Sequence, residues 1–316
     1  MWPWILLAVF LLLVLALLGA GQYFFRFAVL RQPQERGDEE YEQESSIWNP
    51  FRERMREAQR WIGEHTVETL ELTSHDGLKL RALFLSAEGE APRGIVLAFH
   101  GYRSLATIDF ALEAKFFHDL GYGVVLPYQR AHGLSEGKYI TYGVKERLDC
   151  RDWARYLAKR FAPQNLFLAG ISMGASTVLT ASSLELPDTV RGVIADCGFT
   201  SPWEIMKHVA QRDFKLPGFP LLSVLDLITR MRAGFSLKGA DSRKALAESS
   251  LPVLFLHGEA DDFVPLSMTR ENFASCAGEK DVFLVPGAGH AQSFAMDTPG
   301  CEKKIAAFLE KYERKF

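Results

Sequence analysis

The sequence predicts a mixed α/β protein with a mostly parallel sheet, helices on both faces and a transmembrane helix at its N-terminus. Three observations support this prediction. Six apolar strand-like stretches alternate with helix-like stretches after residue 92, a hairpin pattern precedes them, and an uncharged apolar segment opens the chain. Near-continuous apolar strands separated by helices are typical of a parallel sheet that is covered on both faces.

The N-terminal segment, residues 2–25, carries no charged side chain and is almost wholly apolar. As a helix it would be roughly 36 Å long, which is enough to cross the hydrocarbon core of a bilayer. Trp2, Trp4 and Tyr23 lie near its ends, where aromatic side chains settle at membrane interfaces. No Lys or Arg precedes the apolar run, so residues 1–26 are predicted to be a retained anchor. The alternative is a signal peptide cleaved near the GAG tripeptide.

The residues after the anchor predict its orientation and a connecting tether. Arg26, Arg31 and Arg36 follow the span, whereas only the terminal amine precedes it. The positive-inside tendency therefore predicts that the domain lies in the cytoplasm. Residues 27–50 are mostly polar and acidic and are predicted to be a tether, which leaves residues 51–316 as the folded domain.

Size and charge limit the classes of function. The 316 residues suffice for one α/β domain of about 250 residues with a large core. Lys and Arg number 36 and Asp and Glu 39, a net charge of −3, and no basic stripe appears, so a nucleic-acid partner is not expected. The four cysteines are scattered without a C-x-x-C pair, which predicts neither a disulfide framework nor a metal site.

The folded domain begins with a predicted helix and a hairpin. Pro50 stands at the first helical position, and apolar residues recur on one face across 51–62, which predicts packing against the domain. The alternative is that the Arg-rich outer face of this helix lies on anionic lipid. The stretches HTVETLELTS and LKLRALFLSA then join across His75-Asp76-Gly77, and Asp-Gly is a strong turn signal.

The longest connection in the alternating region predicts a cap. More than 50 residues separate the strands at 192–197 and 252–258, and this segment is apolar but interrupted by Pro and Gly. We expect a small helical insertion at about 201–245 over the carboxyl edge of the sheet, where open α/β sheets bind ligands. The six predicted strands are 94–100, 123–129, 165–170, 192–197, 252–258 and 281–287, and a final helix is predicted near 301–312.

The pentapeptide GISMG at 170–174 has the form G-x-S-x-G and stands between a predicted strand and a predicted helix. On such a sharp turn the serine protrudes and the glycines let neighbouring backbone approach, which makes Ser172 a candidate nucleophile. A developing oxyanion needs N–H donors, and the backbone amides of Met173 and Tyr102 are the candidates. The alternative is that small residues merely pack a tight turn.

A serine hydroxyl needs a base, and the base needs an acid that fixes its tautomer. Among eight histidines, His290 is the candidate base because it follows the last strand on a glycine-rich loop. Asp261 and Asp262 stand just beyond the strand at 252–258, where either one could orient the base. Asp196, at another strand end, is a rival that also keeps the order Ser, Asp, His along the chain.

From about Thr66 to its end, the sequence resembles the α/β-hydrolase superfamily, and within it the membrane-anchored bacterial serine hydrolases related to the BEM46-like and dienelactone-hydrolase-like groups. The resemblance implies a sheet of roughly eight strands and a cap after the strand at 192–197, and it assigns the acid to Asp261. In YQRAHGLSEG, Gln129 and Ala131 depart from the D-x-R-G-H-G of many relatives, so only a structural role is expected there. The motifs that carry the resemblance are AFHGY at 98–102, YQRAHGLSEG at 128–137, GISMGAS at 170–176, DCGFTS at 196–201, LHGEADDFVP at 256–265 and GAGHAQSF at 287–294.

The predicted function is a serine hydrolase that cleaves carboxylic esters through an acyl-enzyme, with Ser172, His290 and Asp261 as its catalytic residues and no cofactor or metal. Its expected partners are a small ester or acyl substrate and the membrane that residues 2–25 would cross. An apolar cap beside an anchor favours lipid-like esters, although the same residues would also form the cap's own core. The alternatives are a peptidase, amidase or thioesterase on this fold and, from another class, an inactive membrane-anchored binding module.

Overall fold

A computed structural model of the chain describes residues 1–32, 48–66, 68–88 and 92–314. Eight strands form one sheet in the order β1-β2-β4-β3-β5-β6-β7-β8. Their bounds are β1 Glu68–Thr73, β2 Lys79–Leu85, β3 Gly94–Phe99, β4 Tyr122–Pro127, β5 Leu166–Ile171, β6 Val190–Asp196, β7 Val253–Gly258 and β8 Lys280–Val285.

The strand directions follow the expected pattern. β1 and β2 form an antiparallel hairpin in which Thr73 is paired with Lys79, and the amide of Ser74 donates to the carbonyl of Leu78 at 2.8 Å across the turn. β2 is also antiparallel to β4, whereas every pair from β4 through β3 to β8 is parallel. β3, β4, β5 and β7 are buried along their whole length and β6 is buried except at Arg191, as expected of parallel strands that are covered on both faces. The predicted fold class is therefore confirmed.

Helices cover both faces of this sheet and divide its core in two. One core contains Trp153 and Val178 from helices on one face, and the other contains Phe117 and Phe308 from helices on the opposite face. The helices of the folded domain are α2 Arg52–His65, α3 Ala106–Asp109, α4 Ala111–Asp119, α5 Glu146–Phe161, α6 Met173–Ala181, α7 Pro202–Arg212, α8 Leu221–Ala233, α9 Ser242–Glu248, α10 Leu266–Ser275, α11 Ser293–Met296 and α12 Thr298–Tyr312.

Helix α2 packs against the domain, which agrees with the first of the two interpretations of its sequence. Met55, Ala58 and Ile62 are buried on one face of this helix. Ala111 of α4 completes the small cluster formed by Met55 and Ala58, and Ile62 joins the larger core behind it. The apolar spacing is sufficient to fix which face turns inward, because residues three and four apart share a helix face.

The N-terminal helix α1, Trp2–Phe24, is long and apolar enough to cross a membrane and continues into a π-helical turn at Phe25–Val29. Most of its side chains are exposed, but its last turns contact the cap helix α8. Gly21 makes this approach possible, because a Cβ at that position would lie 2.7 Å from Cγ1 of Val224. The end of α1 is therefore packed on the folded domain.

The first residues of the predicted tether differ from the expectation, because residues 27–32 are packed on the domain. Val29 is buried, and its carbonyl accepts from the amide of Ile140 at 2.8 Å. The Arg31 guanidinium donates to the carbonyls of Ser135 and Gly133 at 2.7 and 2.6 Å. Phe25 and Val29, four residues apart, bury their side chains together, which holds this segment down. Residues 33–47 lie outside the described residues.

The cap consists of α7 and α8, which lie between β6 and β7. It is shorter than the predicted 201–245 segment, because α9 lies on the main domain against α6 and α10. Ser242 at the start of α9 is buried, and its hydroxyl donates to the Thr200 carbonyl at 3.0 Å and bonds Oδ1 of Asn272 at 2.7 Å. The cap therefore ends before α9 and stands over the carboxyl ends of β5 to β7.

Candidate functional site

Ser172 occupies a strained turn between β5 and α6. Its φ of 55° and ψ of −115° are sparsely populated for a residue with a side chain, a conformation that costs about 1–3 kcal/mol. The flanking glycines are required by close backbone contacts. A Cβ at Gly174 would lie 1.9 Å from the carbonyl oxygen of Phe99, and one at Gly170 would lie 2.3 Å from the carbonyl oxygen of Gly174. The small residues thus allow a turn that presents the Ser172 hydroxyl.

The structure brings the three predicted catalytic side chains into one hydrogen-bonded line. Nε2 of His290 lies 2.9 Å from Oγ of Ser172, and Nδ1 of the same ring lies 2.8 Å from Oδ2 of Asp261. The three residues follow β5, β7 and β8, whose carboxyl ends meet at one edge of the sheet. Asp261 is fully shielded from solvent, whereas the imidazole retains partial exposure. This arrangement suits proton transfer from a hydroxyl to a ring nitrogen.

Backbone amides fix the orientation of the Asp261 carboxylate. Its Oδ1 accepts from the amides of Phe263 and Val264, both at 2.9 Å, which leaves Oδ2 facing His290. His257 lies nearby, but burial lowers the pKa of its imidazole. Its two ring nitrogens contact the hydroxyl of Thr269 at 2.8 Å and the carbonyl of Val264 at 3.0 Å. His257 therefore supports the loop that carries Asp261.

The two other candidate acids are positioned away from the imidazole of His290. The side chain of Asp262 is 91% exposed and lies 3.6 Å from the Arg212 guanidinium. Asp196 is buried and accepts a hydrogen bond from the hydroxyl of Ser293 at 2.9 Å. Burial raises the pKa of Asp196 to about 6. The carboxylate that bonds His290 is thus that of Asp261.

The loop that carries Tyr102 lies directly against Ser172. A Cβ at Gly101 would lie 3.4 Å from Cβ of Ser172, and the amide of Gly101 is held by Oδ2 of Asp109. Within the part of the chain that the structure describes, the backbone amides of Tyr102 and Met173 donate to no other group. Both N–H groups are therefore available to a ligand, as the oxyanion-hole prediction requires.

The motif YQRAHG, residues 128–133, which differs from the D-x-R-G-H-G of many relatives, forms hydrogen bonds to the loop that carries Tyr102. The side-chain amide of Gln129 donates to the carbonyl of His100 at 2.5 Å, and Nε2 of His132 accepts from the amide of Arg103 at 3.1 Å. Arg130 is buried and holds Asp149 through two hydrogen bonds of 2.6 Å. The structural role expected for this motif is thus the support of the loop at residues 100–103.

An apolar cavity of about 290 Å³ opens above Ser172. Its walls come from the loop residues Tyr102 and Phe199, from the cap helices α7 and α8, and from residues at the end of the N-terminal helix. The contribution of the N-terminal segment is not detectable in the sequence, because no pattern indicates that a predicted tether folds back. The cavity is large enough for an organic group whose reacting atom lies beside the hydroxyl.

Two groups of side chains offer three metal-ligand atoms each within the described residues. Cys197 with Asp261 and His290 form the first, but burial raises the pKa of the Cys197 thiol well above its usual range, so it keeps its proton. His75 with Asp149 and Asp152 form the second. Here both carboxylates already bond guanidinium groups, Asp149 that of Arg130 and Asp152 that of Arg151. Arg130 bonds both carboxylate oxygens of Asp149, and Asp152 accepts from Arg151 at Oδ1 and from the amide of His75 at Oδ2.

A second, much smaller cavity of about 20 Å³ lies behind the turn that carries Ser172. Two buried carboxyl groups, Glu113 and Asp196, line it together with apolar side chains. Burial and, to a smaller extent, the neighbouring carboxyl groups of Asp196 and Asp109 raise the pKa of Glu113 to about 8. Glu113 is therefore protonated in the folded chain at neutral pH, whereas it ionises near its ordinary pKa when the chain unfolds.

Folding stability should therefore fall as the pH rises from about 4.5 to about 8, because the unfolded chain releases the Glu113 proton while the folded chain retains it. We expect Glu113→Gln to reduce the loss of unfolding free energy between pH 5 and pH 8 by about 3 kcal/mol. Urea unfolding of the full chain in detergent measures both slopes, and the exposed Glu310→Gln is the control. Equal slopes in wild type and Glu113→Gln would contradict the assignment.

Comparisons with known proteins relate the chain to hydrolases. A family model described as serine aminopeptidase, S33, matches residues 90–225. The chain is 28% identical over 228 residues to the uncharacterized protein YqkD of Bacillus subtilis, a match that covers 71% of this chain and 73% of that protein. It is 26% identical over 235 residues to the uncharacterized membrane protein YNL320W of Saccharomyces cerevisiae, covering 73% and 75%. A match to the lysophosphatidylserine lipase ABHD12 of Danio rerio is 26% identical over 228 residues and covers 68% and 58%.

Solved structures of esterases share the fold. An esterase of Pyrococcus furiosus superposes with a TM-score of 0.62 at 20% identity, covering 78% of this chain and 91% of that chain. An esterase of Thermogutta terrifontis superposes with a TM-score of 0.56 at 17% identity, covering 78% and 100%. The overall fold of this chain is therefore one that is also seen in solved esterases.

Proposed function

Because a family model described as serine aminopeptidase, S33, matches residues 90–225 and solved esterases share the fold, we propose that the chain is a serine hydrolase of the α/β-hydrolase superfamily that cleaves carboxylic esters through an acyl-enzyme intermediate. One observation carries the proposal. The hydrogen-bonded line from Ser172 through His290 to Asp261 opens on an apolar cavity, with a hydrogen bond of 2.9 Å at the hydroxyl and one of 2.8 Å at the carboxylate. A base within this distance can remove the hydroxyl proton as the oxygen attacks.

In the first half of the reaction, Oγ of Ser172 bonds the carbonyl carbon while its proton passes to Nε2 of His290. The buried Asp261 carboxylate stabilises the resulting imidazolium through Nδ1. The negative charge on the carbonyl oxygen is stabilised by the backbone amides of Tyr102 and Met173, and each such donor contributes about 10²- to 10³-fold to the rate. The imidazolium then returns its proton to the alcohol oxygen as the ester bond breaks.

The second half repeats these steps with water. His290 removes a proton from water, the resulting hydroxide bonds the acyl carbon, and the tetrahedral intermediate is again stabilised by the two amides. The proton then passes to Oγ of Ser172 as the acyl bond to the serine breaks, which releases a carboxylic acid. The same residues therefore act in both halves of the reaction, and the only reactant besides the ester is water.

The composition of the cavity favours an ester with an apolar acyl group. Most lining residues are aliphatic or aromatic, including Phe199, Met206 and Leu225. An aminopeptidase would need an unpaired carboxylate for the substrate amine, yet the one lining carboxylate within the described residues, Asp213, bonds Arg212 at 2.5 Å. Similarity to a protein described as a lysophosphatidylserine lipase also supports a lipid-like ester.

Labelling with a fluorophosphonate tests this function, because the reagent bonds only an activated serine hydroxyl. We expect wild type and Ser176→Ala to be labelled and Ser172→Ala to remain unlabelled. The labelled protein should hydrolyse p-nitrophenyl esters faster than matched amide or thioester substrates. Labelling at Ser172 with faster amide or thioester turnover would favour a peptidase, amidase or thioesterase, and no adduct at Ser172 in folded protein would indicate an inactive binding module.

The same reagent tests the proposed membrane orientation. Arg26 and Arg31 follow the N-terminal helix, so we propose a single span with the catalytic domain in the cytoplasm. A charged, membrane-impermeant fluorophosphonate should label Ser172 in inside-out vesicles of the expression host and fail to label it in intact cells. Labelling in intact cells would place the domain on the opposite side.

A further inference from the structure

We infer that the end of the N-terminal helix forms one wall of the acyl site, so that the enzyme receives a single-chain lipid ester directly from the membrane in which it is anchored. The inference rests on the proposed ester hydrolysis and adds a specificity-determining role for Phe24, Phe27 and Ala28. These three residues line the same cavity of about 290 Å³ that contains Ser172. The membrane-spanning helix thereby reaches the reacting centre.

Hydrogen bonds fix this wall to the loop at residues 100–103. The carbonyl oxygen of Ala28 accepts from the phenol hydroxyls of Tyr102 and Tyr142 at 2.9 and 2.8 Å, and the two rings are stacked 5.1 Å apart. The Arg103 guanidinium also donates to the carbonyl of Phe27. Tyr102 thus joins the anchor to the proposed oxyanion hole, since its side chain bonds Ala28 and its backbone amide is one of the two proposed donors.

Aromatic contacts join the same wall to the cap. The ring of Phe24 packs edge-on against Phe214 with centroids 4.9 Å apart, and the ring of Phe27 contacts Phe214 at 6.1 Å. Two residues before Phe24, the side-chain oxygen of Gln22 accepts from the guanidinium of Arg232 on α8 at 2.6 Å. The cavity is therefore enclosed between the anchor and the cap by side chains from both.

The exterior of the cap has the character of a membrane-facing surface. Phe219, just before α8, is 79% exposed, and Met231, within α8, is 77% exposed. α8 is the helix that packs on the anchor. Exposed apolar side chains of this size mark a contact with lipid or protein. Since α1 fixes the distance to the bilayer, the occupant of this region is the lipid surface.

The size of the cavity indicates one acyl chain. An apolar protein cavity of about 150 Å³ holds a benzene molecule, so a space of about 290 Å³ accommodates roughly twelve carbon atoms. A chain taken from water would gain about 0.8 kcal/mol per CH₂, whereas a chain taken from a bilayer gains little because both surroundings are apolar. Selection among membrane lipids therefore depends on the shape of the wall, which includes Phe24 and Phe27.

The test uses the full chain in phospholipid vesicles with p-nitrophenyl esters of two to sixteen carbons, and the active fraction is counted by fluorophosphonate labelling. Phe24→Ala removes a ring from the wall and so enlarges the cavity. We expect this variant to have its highest kcat/KM with an acyl chain that is at least two carbons longer than in the wild type. In both Phe24→Ala and Phe27→Ala, the ratio of kcat/KM for the dodecanoyl ester to kcat/KM for the acetyl ester should differ about tenfold from the wild-type ratio. Phe10→Ala makes the same change on an exposed part of the anchor and should leave the profile unchanged.

Membrane delivery is tested with the dodecanoyl ester incorporated either in the vesicles that hold the enzyme or in separate vesicles. We expect at least tenfold faster hydrolysis in the shared vesicles. Equal rates in both arrangements, or identical chain-length profiles in wild type, Phe24→Ala and Phe27→Ala, would overturn the inference while leaving ester hydrolysis intact. A wild-type protein that neither reacts with fluorophosphonate nor hydrolyses acetyl ester would instead refute the proposed function.

Discussion

Replacing Ser172 with alanine is expected to lower kcat for a p-nitrophenyl ester by about 10⁵- to 10⁶-fold, the size of loss seen when a serine protease loses its nucleophile. The substitution removes the hydroxyl oxygen that lies 2.9 Å from Nε2 of His290, so the proposed acyl-enzyme cannot form. Residual hydrolysis should come from substrate binding and the two amides alone. Active-fraction-corrected kinetics of the full chain measure this loss.

The matched control is Ser176→Ala, one helical turn further along α6. Ser176 is buried and its hydroxyl donates to the carbonyl of Phe199 at 2.9 Å, so the change removes a comparable hydroxyl without touching His290. We expect an effect of less than tenfold on kcat. The double variant Ser172→Ala, His290→Ala should be no slower than Ser172→Ala alone, because residues that act as a unit are not additive. Multiplying losses would contradict a shared proton-transfer step.

The meeting of these side chains was predictable because of the topology. In a parallel sheet the carboxyl ends of neighbouring strands lie at one edge, so residues that follow β5, β7 and β8 are brought together despite long separations in the chain. Local pattern also fixed the strand-to-helix turn at 170–174, since only glycines avoid the 1.9 and 2.3 Å contacts found there. The strands and the site could therefore be predicted from local sequence patterns of a few residues and from the general geometry of a parallel sheet.

The wall formed by residues 24–28 could not be predicted in this way. Its contacts join Ala28 to Tyr102 and Tyr142, which are 74 and 114 residues away, and no periodic pattern records such a pairing. Residues 27–50 are mostly polar, and this overall composition hides the few apolar residues at the start of the segment. A tether was therefore expected where Val29 is in fact buried. The end of the cap was displaced for a similar reason, because the bonds of Ser242 are non-local.

The choice among neighbouring acids was open from the residues alone and was assigned to Asp261 by resemblance. Two consecutive aspartates at a turn have the same composition and spacing, and only the backbone direction decides which one faces inward. Here the amides of Phe263 and Val264 hold the first carboxylate, while Asp262 points to solvent beside Arg212. The choice between Asp261 and Asp262 depends on the backbone geometry of the turn, which cannot be inferred from the two identical residue types.

Asp261→Asn is expected to lower kcat/KM by about 10³- to 10⁴-fold, although the side chain keeps its size. The amides of Phe263 and Val264 both donate to Oδ1, so the asparagine must place its oxygen there and turn its NH₂ toward His290. Nδ1 of the imidazole then has to accept, which puts the ring proton on Nε2. In that tautomer the ring cannot take the proton of Ser172.

Kinetics of Asp262→Asn and Asp196→Asn provide the matched comparison for this tautomer effect. Asp262 is exposed, and Asp196 bonds Ser293 at 2.9 Å, so neither change alters the hydrogen bond to His290, and we expect losses of less than tenfold. Fluorophosphonate labelling should slow in Asp261→Asn in proportion to kcat/KM, because the same proton must leave Ser172 in both reactions. If Asp196→Asn slowed labelling as strongly as Asp261→Asn, the imidazole would depend on the wrong carboxylate for this mechanism.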